Sequence, residues 1–140
     1  MESSSAGMEE LTLESVKAEI YSRNNPNLTP VDIELHAETV YRILELKKKH
    51  NAVLLGHNYM EPLVFGLSDQ GERGDSLALS MSAVQTDSDF IIFNGVRFMA
   101  ETAKILNPSK KVLIADKTAG CSLADDFGAE DVRILKEKYP

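Results

Sequence analysis

The sequence predicts an α/β fold: a three-layer αβα sandwich around a parallel sheet, preceded by two N-terminal helices. Three observations carry this. Ala52-Val53-Leu54-Leu55, Phe90-Ile91-Ile92-Phe93 and Val112-Leu113-Ile114-Ala115 are apolar without polar alternation, as strands covered on both faces are. Helical stretches separate these runs, which favours parallel strands joined by right-handed crossovers. The hydrophobic fraction, 43% of 140 residues with eight Gly and five Pro, is that of an ordinary globular protein.

The elements follow in order. Residues 1–8, Met-Glu-Ser-Ser-Ser-Ala-Gly-Met, have nothing to pack with and read as a disordered tail. From Glu9 to Ser22, Leu11, Leu13, Val16, Ile20 and Tyr21 recur near helical period, and Asn24-Asn25-Pro26-Asn27 breaks the pattern. Thr29 reads as an N-cap with Pro30 at the first helical position and Asp32 in the first turn. That second helix runs to about Lys49, with Ile33, Leu35, Val40, Ile43, Leu44 and Leu46 on its apolar side; together the helices fill residues 9–50. The α/β part, residues 51–140, then begins. After the first strand comes a Gly-bearing loop, Gly66 to Gly74, and a helix from Asp75 to Gln85 with Leu77, Leu79, Met81 and Val84 inward. After the second strand, a helix from Val96 to Leu106 stops at Asn107-Pro108. After the third come the turn Thr118-Ala119-Gly120 and a helix from about Ser122 or Asp125. Ile134 to Pro140 is a helix end where a linker and a further strand are expected, so the sequence reads as truncated.

Charge and cysteine usage narrow the function classes. The formal net charge is −7, and the one basic run, Lys47-Lys48-Lys49, falls at a helix end, where cations offset the helix dipole. Neither nucleic acid nor an anionic membrane is an expected partner. A single cysteine forms no internal disulfide, no apolar stretch approaches a bilayer span, and the acidic N-terminus is no signal peptide. These point to the cytoplasm.

Ligands of open parallel sheets bind beyond the carboxyl ends of the strands. There the sequence places His57-Asn58-Tyr59, then Asn94-Gly95 and Arg97, then Asp116 through Cys121, while the strand bodies are almost purely aliphatic. His57 and Tyr59, two apart at a strand end, share a side if the chain stays extended. An imidazole there hydrogen-bonds an anionic oxygen and a phenol moves a proton; a loop histidine tied to backbone beside a covering tyrosine is the plainer alternative. Gly74-Asp75-Ser76 opens a helix, whose free N–H groups suit a carboxylate or phosphate, with the Ser76 hydroxyl as a further donor; the plainer alternative is an N-cap, Asp75 or Ser76 satisfying its own helix. No Walker loop or GxGxxG is present. Cys121 enters a helix from a turn, which suits metal ligation or nucleophilic attack, with an inert structural thiol as the alternative. One thiolate does not hold a metal alone, and His36 and His50 belong to the preceding helical segment, so further ligands must come from outside the chain. Arg97, Glu101 and Lys104 read as solvated or interdomain contacts.

His57-Asn58-Tyr59, Gly74-Asp75-Ser76, the run VRFMAETAKILNP from Val96 and Ala119-Gly120-Cys121-Ser122-Leu123-Ala124-Asp125 resemble, in the same order, the N-terminal motifs of bacterial and archaeal quinolinate synthases. The similarity covers about Pro30 to Pro140. It implies an enzyme that condenses iminoaspartate with dihydroxyacetone phosphate to quinolinate, the NAD precursor. It also implies three α/β domains about a pseudo-threefold axis, each giving one cysteine to a [4Fe-4S] cluster whose open iron is a Lewis acid. By that resemblance Cys121 is the metal ligand of the first domain, His57 and Ser76 bind substrate, and Tyr59 is catalytic in proton transfer. The remaining domains of the enzyme would be its partners, and this piece would be inactive alone, its uncovered faces prone to self-association. Met60-Glu61-Pro62-Leu63 departs from the glutamine-bearing family sequence at that loop. A non-catalytic α/β module binding a small anion through His57 and Ser76 is the competing reading. A cysteine-nucleophile hydrolase lacks a histidine placed beside Cys121.

Overall fold

The computed structural model describes residues 11–22, 29–69 and 72–140, so the expected tail and the break at residues 24–27 lie outside the described residues. Along the chain come α1 (Leu13–Ser22), α2 (Pro30–Lys49), β1 (Ala52–His57), α3 (Pro62–Leu67), β2 (Arg73–Gly74), α4 (Ser76–Gln85), β3 (Phe90–Asn94), α5 (Arg97–Leu106), β4 (Lys111–Ile114), α6 (Ser122–Asp125) and α7 (Ala129–Lys138). The four strands are parallel and lie in the order β2-β1-β3-β4. This is the α/β sandwich expected, with its two N-terminal helices.

Period-two alternation divides the sheet into two faces. In register, Val53, Ile91 and Val112 form one row and Leu55, Phe93 and Ile114 the next. These rows pack beneath α4 and α5, meeting Leu79, Ala83, Met99, Ala100 and Ala103. Alanine at 83 and 103 lets both helices settle close to the sheet. Ala52, Leu54 and Gly56 belong to the opposite face, against which α2 and α3 lie. A second cluster of Val16, Ile20, Ile33 and Val40, with Leu63 and Leu67 packed against it, joins α1 and α2 to α3.

Local chemistry sets the boundaries. Thr29 closes a capping box on α2: its hydroxyl accepts the Asp32 N–H at 3.2 Å, and its own N–H donates to the Asp32 carboxylate at 2.9 Å. The helix ends at His50, and Asn51 takes a φ of +47°, a left-handed conformation asparagine tolerates, to turn the chain into β1. Lys47 pairs with Asp69, whose carboxylate also accepts the Leu54 N–H at 3.1 Å, locking the end of α2 to β1.

Several expectations are corrected. The helix expected from Asp75 to Gln85 begins at Ser76, and of its four supposed inward residues Leu79 is buried, whereas Leu77, Met81 and Val84 are exposed. Burial follows Leu79 and Ala83, spaced four apart, because a helix on one sheet covers a narrow stripe. Leu35 and Leu46 of α2 are likewise exposed. Within the residues 66–74, read as loop, the structure has the end of α3 and strand β2. The C-terminal helix is two, α6 and α7, divided before Gly128. The third strand is not covered on both faces: β4 alternates between half-buried and exposed, and Leu113 retains 48% exposure.

Candidate functional site

The carboxyl edge of the sheet gathers the titratable groups. His57 closes β1 and is buried, with 4% of its surface exposed. Its Nδ1 accepts the backbone N–H of Tyr59 at 3.2 Å, which places the ring proton on Nε2. That nitrogen lies 3.4 Å from the Ser76 hydroxyl. The tight turn after β1, with the Met60 N–H donating to the His57 carbonyl at 2.9 Å, folds Tyr59 back over the histidine. Their rings meet edge to face, 4.8 Å between centroids and 69° between planes. Tyr59 is otherwise open, at 87% exposure, so the phenol stands at the mouth and the imidazole beneath it.

Strand β2 brings Ser76 there. Its two residues pair with Gly56 and His57, and the Asn58 N–H donates to the Gly74 carbonyl at 3.0 Å. Asp75 then caps α4 and Ser76 begins it. Of the two readings of this helix start, the simple N-cap is the one realised: the Asp75 carboxylate accepts the N–H groups of Leu77 and Ala78 at 3.0 and 2.9 Å, so they are not free for an anion. A local carboxylate wins because it requires no ligand. What the motif offers is the Ser76 hydroxyl, half-buried between His57 and the Met99 sulfur at 3.7 Å. Met99 is the residue that motif reading left without a role; its place in the first turn after β3 was the available signal.

The other two strand ends are linked. Gly95 follows β3 against the site wall: a Cβ there would stand 2.8 Å from the Phe93 ring and 3.5 Å from the His57 Cβ. The Arg97 N–H donates to the Ala119 carbonyl at 2.8 Å, tying the start of α5 to the turn after β4. Asp116 shapes that turn by accepting the Thr118 hydroxyl at 2.6 Å and its N–H at 2.8 Å, bonds that hold the carboxyl below its usual range. Cys121 emerges from the turn as the N-cap of α6, half-buried and unpaired with any other sulfur. The Arg97 side chain faces Glu101 at 3.5 Å on the helix surface, and Lys104 donates to the Pro108 and Lys110 carbonyls. Among the described residues, no group of three or more His, Cys, Asp or Glu is placed to hold a metal.

This arrangement joins a buried imidazole, a hydroxyl and an open phenol at one strand end, with a thiol beyond the neighbouring helix start. The family model for quinolinate synthetase A protein matches residues 41–140, which contain all of it. The chain belongs to that family. Quinolinate synthase 2 of Mesorhizobium japonicum is 47% identical over 130 residues, 92% of this chain and 40% of the relative. The quinolinate synthase of Agrobacterium fabrum is 54% identical over 104 residues, 74% of this chain and 30% of that protein. That of Xylella fastidiosa strain 9a5c is 56% identical over 99 residues, 70% and 29% respectively. The chain therefore spans 40% or less of the length of these quinolinate synthases. Among the described residues no helix is long and apolar enough to cross a membrane.

Proposed function

We propose that this chain serves as the first of three α/β domains of a cytoplasmic quinolinate synthase, which condenses iminoaspartate with dihydroxyacetone phosphate. The observation that carries the reading is the approach of His57 Nε2 to Ser76 Oγ beneath the Tyr59 ring, in a chain of this family.

Both substrates are anions, and the site answers them with directed donors. Ser76 supplies a hydroxyl, and the Nε2–H of His57 is within reach of an anionic oxygen bound beside it. Burial of the imidazole and the Tyr59 N–H on Nδ1 fix the ring, so no orientational freedom is lost on binding. Tyr59, exposed above the pair, is placed to pass a proton between bound substrate and water. Cys121 fits one position of a [4Fe-4S] cluster: it is accessible, its sulfur is free, and its backbone is held by the Asp116 turn. The remaining ligands and domains are not in this chain, so the piece alone does not turn over substrate. When bound, the cluster supplies a Lewis-acidic iron for a substrate oxygen.

A chimera tests this directly. Residues 41–140 replace the matching segment of the Agrobacterium fabrum enzyme, and quinolinate formation is assayed without oxygen. The chimera is expected to be active, with Tyr59→Phe lowering kcat by about 10²-fold or more. Anaerobic reconstitution should give broad visible absorption that Cys121→Ala abolishes. A folded chimera without activity, or one that keeps the absorption after Cys121→Ala, refutes the assignment.

A further inference from the structure

Ser76 owes its place beside His57 to β2, yet β2 has little of its own to hold it. It is two residues long and lies at the edge of the sheet. Backbone bonds tie its ends to β1: the Gly56 N–H donates to the Glu72 carbonyl at 2.9 Å, and the Asn58 N–H to the Gly74 carbonyl at 3.0 Å. So short a pairing at an edge belongs to the least stable part of a fold unless side chains reinforce it.

Arg73 supplies the reinforcement. Its Nε donates to the Ser68 carbonyl at 3.0 Å, and one terminal nitrogen donates to the same carbonyl at 2.7 Å and to that of Gly66 at 2.8 Å. These carbonyls close α3, where the helix has no N–H left to offer them and a cation suits the dipole. The guanidinium carbon also stands 5.5 Å from the centre of the Phe65 ring. The anchor itself is firm: Ser68 is fully buried against Gly56, and Leu63 and Leu67 pack on the α1–α2 cluster. Arg73 pairs with Gly56, so by alternation its side chain lies on the α3 side of the sheet, whereas the His57 imidazole lies on the other.

We propose that Arg73 is a positioning residue for the site: by clamping β2 to the end of α3 it sets the Ser76 hydroxyl against His57 Nε2, and with it the affinity for an anionic substrate group, without touching substrate. This rests on the reading of His57 and Ser76 as substrate-binding residues. From Arg73 the constraint passes along three residues of backbone, through the pairing of Gly74 with His57 and the Asp75 cap, to Ser76. A planar fork that holds two carbonyls fixes β2 in direction as well as in place, which a single ammonium does not. With β2 released, the hydroxyl has to be ordered anew at each binding event.

Two measurements test it. In the 140-residue chain, Ser76→Ala shifts the His57 Nε2 resonance by removing the hydroxyl. Arg73→Ala is expected to shift it in the same direction with the hydroxyl still present, and to speed amide exchange of Asn58 by about tenfold or more while amides between β1 and β3 keep their protection. Arg73→Lys falls between the two, and carries the comparison if the alanine variant does not fold. In the chimera carrying residues 41–140, Arg73→Ala should raise the KM that Ser76→Ala raises by about tenfold, with kcat little changed. Added to Ser76→Ala it should raise that KM no further, because both act through one hydroxyl; a loss of stability alone would not be coupled in this way. An unshifted Nε2 resonance, or a KM effect that adds in full to that of Ser76→Ala, overturns the proposal. A parent chimera that is inactive or indifferent to Ser76→Ala refutes the reading of the site above, and the Nε2 resonance then decides the role of Arg73 alone.

Discussion

The Ser76 hydroxyl and the His57 Nε2 stand 3.4 Å apart although nineteen residues separate them in sequence. The two-residue strand β2 makes this possible: pairing Gly74 with His57 sets the start of α4 directly beside the end of β1. A loop of the same length without that pairing would leave the serine free to wander, at a cost in entropy on every binding event.

The histidine tautomer is the first expected outcome. With the Tyr59 N–H donating to Nδ1, the neutral ring carries its proton on Nε2. Long-range proton–nitrogen spectra at neutral pH should show Nδ1 unprotonated and Nε2 protonated, and Ser76→Ala should leave that pattern in place while destabilising the fold by about 0.5–1.5 kcal/mol. A proton found on Nδ1 removes this account of the site.

Gly56 is expected to resist substitution for a steric reason. A Cβ there would lie 2.1 Å from the Ser68 hydroxyl oxygen and 2.7 Å from its Cβ, and Ser68 is fully buried. Gly56→Ala should therefore cost about 1–3 kcal/mol in urea unfolding. Adding Ser68→Gly removes both clashing atoms, so the double variant should recover part of the loss. Equal stability of single and double variants would mean the strain lies elsewhere.

How much of this was legible in sequence depends on periodicity. The three aliphatic runs fall in strands of six, five and four residues, long enough for their apolar continuity to announce them, as did the Thr29-Pro30 helix start. Strand β2 has two residues and α3 six, too short for any period, and α3 is instead capped by Glu61, which accepts the Leu63 and Val64 N–H groups. At the site, the residue types at the strand ends made His57, Tyr59, Ser76 and Cys121 candidates, each with a plain structural alternative, and only the family resemblance attached roles to them. What sequence did not carry was direction: burial of the imidazole and exposure of the phenol depend on how the strand ends pack, whereas the Asp75 cap, a local contact, was among the readings it offered.

Acid should remove the α2 capping box in a defined window. The Thr29 hydroxyl and then its backbone N–H hold the Asp32 carboxyl below its ordinary range. A depressed value means folding favours the carboxylate, so this contribution is complete above the unfolded value near about pH 3.9 and disappears as pH falls through the lower folded value. Asp32→Asn should flatten that part of the acid limb when urea midpoints are compared between about pH 2 and 6. A limb as steep as that of the parent chain would show that other carboxylates control it.

The two sides of the sheet should answer alanine differently. Phe93 is fully buried under α4 and α5, with the largest volume among the fully buried side chains, and nothing nearby is free to fill its space. Phe93→Ala should cost about 3–5 kcal/mol. Leu113, one strand away on the half-covered face, already has water on one side, so its truncation removes little and leaves no closed cavity. In dilute solution Leu113→Ala should cost less than about 1 kcal/mol, a contrast read from paired urea transitions. Comparable losses would mean that Leu113 is packed as firmly as Phe93, contrary to its 48% exposure.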